Sequence, residues 1–159
     1  MRDYLRDARR RHASCPAGSA AHPAFDFWLG DWDVTNAAGK PAGKSHVERL
    51  LDGVVMEHWQ GANGGYAGKS FNRLDSTTGQ WMQHWVDNGG LSAIMTGAFE
   101  EKNLVYRREL KRRDGTPALS RMTFFNLGPD KVRQLVEQSI DGGKTWSKQF
   151  DLQYKRRAA

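Results

Sequence analysis

The sequence predicts an all-β protein: an antiparallel up-and-down barrel of about ten strands, entered through a short N-terminal helix. Three observations lead there. Short runs that alternate apolar and polar residues follow one another along most of the chain. Between them stand turn dipeptides and tripeptides, namely Asp52-Gly53, Thr78-Gly79, Asn88-Gly89-Gly90, Asp114-Gly115 and Gly128-Pro129. Six Trp, seven Phe and four Tyr beside 17 Gly and only five Pro suit short strands and tight turns better than a helical bundle. A meander of that many strands closes economically into a barrel, because closure removes exposed edges.

The first 22 residues read as a basic leader, helical or disordered. From Met1 to about Ala13 the spacing of Tyr4, Leu5 and Ala8 with arginines between them could form one amphipathic helix, and Ser14 to His22 is small-residue linker. Its single Cys15 excludes an intrachain disulfide and a cysteine-based zinc site and suits a reducing cytoplasm. The leader lacks the apolar core of a signal peptide, and no run of 18 apolar residues occurs, so the expectation is a soluble, cytoplasmic protein with no membrane partner. The formal charge is +6, but eight of the basic residues and two of the acidic ones lie in the two ends, and the remainder balances. That excludes a basic groove for nucleic acid. A monomer or homodimer is expected.

The barrel domain is expected over residues 23–157. Phe25 to Leu29 forms a helical plug, and from Gly30 the chain enters the first strand with Trp32 and Val34 on one face. The next two strands run over Lys44–Leu51 and Val54–Gln60, joined by Asp52-Gly53. A regular two-residue turn places Leu51 opposite Val54, hence Glu48 opposite Glu57 and His46 opposite Trp59 on one side of the sheet. Two carboxylates facing each other repel unless a cation intervenes or one takes up a proton. Either an Arg or Lys covers them at a solvated face, or they lie inside and carry chemistry. Further strands follow near Tyr66–Leu74, Gln80–Val86, Leu91–Phe99, Leu104–Leu110, Leu119–Asn126, Lys131–Ser139 and Thr145–Lys155.

Parity sorts the side chains. Trp81, Gln83 and Trp85 share one face of their strand, Arg121, Thr123 and Phe125 another, and Arg133, Leu135, Glu137 and Ser139 a third. A lumen that receives a polar ligand mixes aromatic residues with a few polar groups, so Glu57, Trp59, Trp81, Gln83, Trp85, Arg121, Arg133 and Glu137 are expected inside. A solid barrel whose buried Arg–Glu network only fixes packing is the competing reading. His58 and His84 then point outward and His46 inward. No histidine spacing matches a metal site, and no nucleophile elbow or phosphate loop occurs.

Several motifs together resemble a bacterial family catalogued as domain of unknown function 1579, grouped with the calycins, the lipocalin-like barrels. They are Phe25 to Val34 with its Gly30-x-Trp32 entry, Glu57-His-Trp59, Gly68-Lys-Ser70, Trp81 to Asp87, Arg121-Met-Thr123, Val132-Arg-Gln134 and Glu137 to Trp146. Phe150-Asp151 and Tyr154 extend the resemblance, which runs from Pro23 to Arg156. Within it, Ser139-Ile-Asp141-Gly-Gly143-Lys-Thr145-Trp146 resembles the Asp-box of sialidase propellers, a structural turn in which Asp141 accepts turn amide protons. The resemblance implies a barrel with a central cavity and names no reaction. The tail lacks the histidine by which related nitrobindin-like barrels hold haem, and no cofactor is expected.

The predicted function is binding of a small organic ligand with an apolar or aromatic body and a polar or anionic end. The candidate lining is His46, Glu48, Glu57, Trp59, Ser70, Trp81, Gln83, Trp85, Arg121, Arg133 and Glu137. The alternative is a cofactor-free isomerase, cyclase or hydratase in which Glu57 and Glu48 share a proton and Arg133, with Arg121, stabilises negative charge.

Overall fold

A computed structural model describes residues 23–158. The predicted leader, with its helical spacing and Cys15, lies outside the described residues. Pro23–Trp28 forms a 3-10 turn, and ten strands follow: β1 Gly30–Asn36, β2 Pro41–Leu51, β3 Val54–Gly61, β4 Ala67–Leu74, β5 Trp81–Asp87, β6 Ser92–Glu100, β7 Asn103–Lys111, β8 Pro117–Asn126, β9 Lys131–Ser139 and β10 Ser147–Arg156. Each strand pairs antiparallel with its neighbours in sequence, and β1 pairs with β10, so the sheet closes. Among the described residues the 3-10 turn is the only helical element.

The 3-10 turn stoppers one end. Phe25 stacks on Trp28 at 5.1 Å between ring centroids and meets Trp81 and Phe124 edge-on at 5.6 and 5.3 Å. Phe25, Trp28, Trp32, Leu104 and Phe124 are fully buried there. Trp32 donates its indole N–H to the Trp28 carbonyl at 2.9 Å, tying the first strand to the plug. Gly30 does what the sequence asks of it and one thing more. Its φ of 123° turns the chain under the floor, and a Cβ there would lie 2.2 Å from a guanidinium nitrogen of Arg156. Arg156 uses that space to lie over the Trp32 ring at 4.2 Å and donate to the Leu29 carbonyl at 2.8 Å. Arg49 reaches the plug from β2 through an ion pair with Asp26.

The β2–β3 hairpin departs from the regular register. Leu51 pairs with Val54, but Arg49 pairs with Val55, leaving Leu50 as a bulge. Everything beyond shifts by one residue. Val47 opposes Glu57, Glu48 opposes Met56 and Ser45 opposes Trp59. The physical gain is that Val47 enters the core, 2% exposed, while Glu48 turns outward and the predicted carboxylate opposition disappears.

The last hairpin closes around Asp141. Thr145 donates its amide and hydroxyl to the two Asp141 oxygens at 2.9 and 2.6 Å, and Ser139 donates its hydroxyl at 2.7 Å. Trp146 folds back to donate to the Gly143 carbonyl at 3.0 Å. These donors, the Thr145 hydroxyl and amide foremost, hold the Asp141 carboxyl far below the usual range.

Candidate functional site

Above the aromatic floor the barrel keeps a cavity of about 400 Å³. Its wall is largely apolar, with Trp59, Trp85, Leu91, Met95, Met122, Val136, Phe150 and Leu152. Two indoles are seated on glycines. A Cβ on Gly68 would come within 2.2 Å of Trp85 Cζ2, and one on Gly43 within 2.7 Å of Trp59 Cζ2. Both rings therefore lie against bare backbone of a neighbouring strand, which leaves the middle of the lumen open. At the rim, Asp87 holds the aromatic wall in place. Its Oδ2 accepts from Trp85 Nε1 at 3.1 Å and from the Tyr66 hydroxyl at 2.9 Å, while Oδ1 accepts the Gly89 and Leu91 amides. Desolvation works to raise this carboxyl, but those four hydrogen bonds outweigh it and leave its pKa below the ordinary value.

One carboxyl faces the lumen. Glu57 is 2% exposed, and its Oε1 accepts from Ser45 Oγ at 2.8 Å while Oε2 lies 3.4 Å from Ser70 Oγ. Tyr154 Oη lies 3.4 Å from Oε1 and 2.9 Å from Gln134 Oε1. A phenol has one proton, and the shorter contact takes it to Gln134, so a protonated Glu57 can donate to the Tyr154 oxygen. Ser70 in turn accepts from Asn72 at 3.0 Å, and Asn72 Oδ1 accepts from Gln83 at 3.0 Å and Tyr106 at 3.1 Å. All of these partners are neutral. Burial without a cation raises the Glu57 pKa to about 7, against the lowering effect of the hydrogen bonds.

One cation faces the lumen as well. Arg108 of β7 lines the cavity, and its buried Nε finds no hydrogen-bond partner among the described residues. Desolvation lowers its pKa from the usual arginine range. A guanidinium has five donors, and a buried one left open is costly unless something fills it. Among the described residues, Glu57 and Arg108 are the only formally charged side chains of the cavity wall.

Of the predicted lining, Glu57, Trp59, Gln83 and Trp85 border the cavity. Ser70 is fully buried beneath Glu57, and Trp81 faces inward but belongs to the floor, against Phe25 and Phe99. The other five do not face the lumen. His46 and Glu48 turn outward because of the Leu50 bulge. Glu48 meets His58 Nε2 at 2.9 Å, His46 meets Asp31 at 2.9 Å, and the two imidazoles stand 5.7 Å apart. Arg121, Arg133 and Glu137 also lie outside, since Ser120, Met122, Gln134 and Val136 fill the inner rows of β8 and β9. There Arg121 pairs with Glu137 at 2.7 Å and lies over Trp146 at 4.2 Å. Arg133 grips Asp151 with two bonds of 2.8 Å and lies over Phe125 at 5.2 Å. Arg133's bonds hold the Asp151 carboxyl below its ordinary range against the pull of burial. Outside the barrel these charges keep one side in water, which is why the network sits there.

Arg108, Gln134, Tyr154, Met95 and Met122 were not foreseen. Parity had a usable signal on β7. Leu104, Tyr106, Arg108 and Leu110 share a face, and the opposite face carries Arg107, Glu109 and Lys111. Among the described residues no group of three or more His, Cys, Asp or Glu is arranged to hold a metal ion, and no helix is long and apolar enough to cross a membrane. Compared with known proteins, the chain matches no family model and no curated protein.

Proposed function

We propose that this barrel is a lipocalin-like binding protein that holds a small organic anion with an aromatic or conjugated body in its lumen. The observation that carries the reading is Arg108, a guanidinium with an unpartnered Nε set in a cavity walled by tryptophan, methionine and leucine. The ligand's body lies between Trp59 and Trp85 and its anionic end meets Arg108. Gln134, Gln138 and Ser120 on the same wall offer further hydrogen bonds to a polar group. The motif resemblance to the calycin-grouped family supports the same reading.

The test is a titration followed by intrinsic tryptophan fluorescence and thermal shift, comparing 2-naphthoate with neutral 2-naphthalenemethanol. We expect the carboxylate to quench and stabilise the protein, the alcohol to do so at least about tenfold more weakly, and Arg108→Met to erase the difference, since a charge-assisted contact contributes about 1.5–3 kcal/mol. Equal binding of both compounds removes Arg108 from the site.

Glu57 favours a second reading, a cofactor-free isomerase, cyclase or hydratase. A lumen carboxyl raised to about 7 suits general acid–base work at neutral pH. Under this reading Glu57→Gln keeps binding and abolishes turnover. Under simple binding, both proteins leave the ligand chemically unchanged.

A further inference from the structure

The cavity wall carries one permanent charge and one switchable charge, and that arrangement constrains the ligand beyond its being an anion. Arginine stays protonated throughout the physiological range, so the Arg108 charge is constant. Among the described residues Glu57 has no cation beside it. Against it β2 presents Ser45 and Val47, β4 presents Ser70 and β10 presents Tyr154. Gln134 of β9 stands behind Tyr154, and Tyr106 is reached through Asn72. The ionisable phenols nearby do not compete. Burial, with the Glu57 charge, pushes Tyr154 well up, burial does the same for Tyr106, and burial with the Asp87 carboxylate pushes Tyr66 up to about 12. Around neutral pH, Glu57 is therefore the one group of this wall, among the described residues, whose charge can change.

We propose that the lumen selects monoanions and that ionisation of Glu57 releases them. This rests on the binding reading above and adds the ligand's charge and its regulation. With Glu57 neutral, the cavity presents a net single positive charge, matched by one carboxylate, sulfonate or phenolate. A second anionic group on the ligand finds no second cation among the described residues of the wall and faces the polar cluster around Glu57. When Glu57 ionises, the wall becomes neutral overall, and a negative charge is placed in the same low-dielectric space as the ligand's own. Proton loss by Glu57 and ligand release are then linked, so that ligand binding raises the proton affinity of Glu57 by the same factor by which protonation raises ligand affinity.

Two probes whose own charge does not change with pH make this direct: 1-naphthalenesulfonate, a monoanion, and 1,5-naphthalenedisulfonate, a dianion. Dissociation constants are measured on the full chain from pH 5.5 to 8.5 by tryptophan quenching. The expected result is a monosulfonate Kd that rises about tenfold or more across that range, with the disulfonate at least about tenfold weaker than the monosulfonate at pH 5.5. Glu57→Gln should abolish the slope. A flat wild-type profile overturns the inference, as does a slope that survives in Glu57→Gln, or a disulfonate that binds as tightly as the monosulfonate. These outcomes leave the binding reading in place. Failure of the monosulfonate to bind at any pH removes both. If Glu57→Gln does not fold, the wild-type slope and the probe ratio decide alone.

Discussion

At the scale of single residues, Glu57 is where this fold carries a stability penalty. Its folded-state pKa of about 7 lies above the ordinary 4.5. Between those values the folded protein binds more protons at Glu57 than the unfolded chain does. Stability from this group is therefore complete at low pH and falls as pH rises through the window, levelling off above about 7. At 1.36 kcal/mol per unit the fall is about 3 kcal/mol. Asp141 and Asp151 do not mask it, because their carboxyls are held below the ordinary range by Thr145 and Arg133 respectively and are already ionised at pH 5. Urea unfolding at pH 5 and pH 8 should show the wild type losing stability and Glu57→Gln holding nearly constant. A wild type equally stable at both values would mean that Glu57 has water or a cation beside it.

At the scale of elements, pairs of strands decide how much lumen remains. Trp85 is held by Asp87 on its own strand and seated on Gly68 of β4, so the ring is fixed from its edge and from beneath. Gly68→Ala puts a methyl into that seat and forces the indole inward, breaking its bond to Asp87. Overpacking of this kind typically lowers stability by about 1–3 kcal/mol. The larger effect should be on the site, with a cavity visibly narrowed in a crystal structure and 2-naphthoate affinity reduced by about tenfold or more. An alanine variant that binds as the parent does would show that the Trp85 wall is not where the ligand lies. The β2–β3 hairpin makes the complementary point. Asp52-Gly53 was legible as a turn, but the Leu50 bulge two residues away was not, because nothing in the alternation of Glu48, Arg49 and Leu50 marks an extra residue. It reassigns His46 and Glu48 to the outer face because burying Val47 outweighs regular pairing.

At the scale of the whole molecule, the barrel is a stack of three zones: an aromatic floor, a neutral polar ring around Glu57, and an aromatic-walled cavity that includes Arg108. The floor carries the stability. Trp28 is fully buried among Phe25, Phe124 and Tyr154 and its carbonyl anchors Trp32. Trp28→Ala should lower stability by about 3–5 kcal/mol, or roughly 10 °C in melting temperature for a chain of this size. Calorimetry would measure it, and a loss under about 1 kcal/mol would mean that the plug is not part of the cooperative core.

What the sequence determined by itself was local. Turn dipeptides, alternation and the aromatic entry at Phe25 to Trp32 are short-range signals, and they specified ten antiparallel strands and a plugged floor. They also sufficed for the inward placement of Trp59, Gln83 and Trp85. Which face of β8 and β9 points inward was a different kind of question, since both faces of Ser120 to Phe125 and Val132 to Glu137 mix polar with apolar residues. That choice was made by tertiary structure. Arg121 and Arg133 find Glu137 and Asp151 across neighbouring strands, and Trp146 and Phe125 lie against them, outside the barrel where water still solvates the guanidinium edges. Met122, Phe124, Val132 and Val136 are then free to fill the inside at a lower desolvation cost. With those arginines outside, Arg108 alone among the described residues supplies positive charge to the cavity wall; parity on β7 places it on the inner face, but that it is the sole cation there depends on which way β8 and β9 turn their arginines.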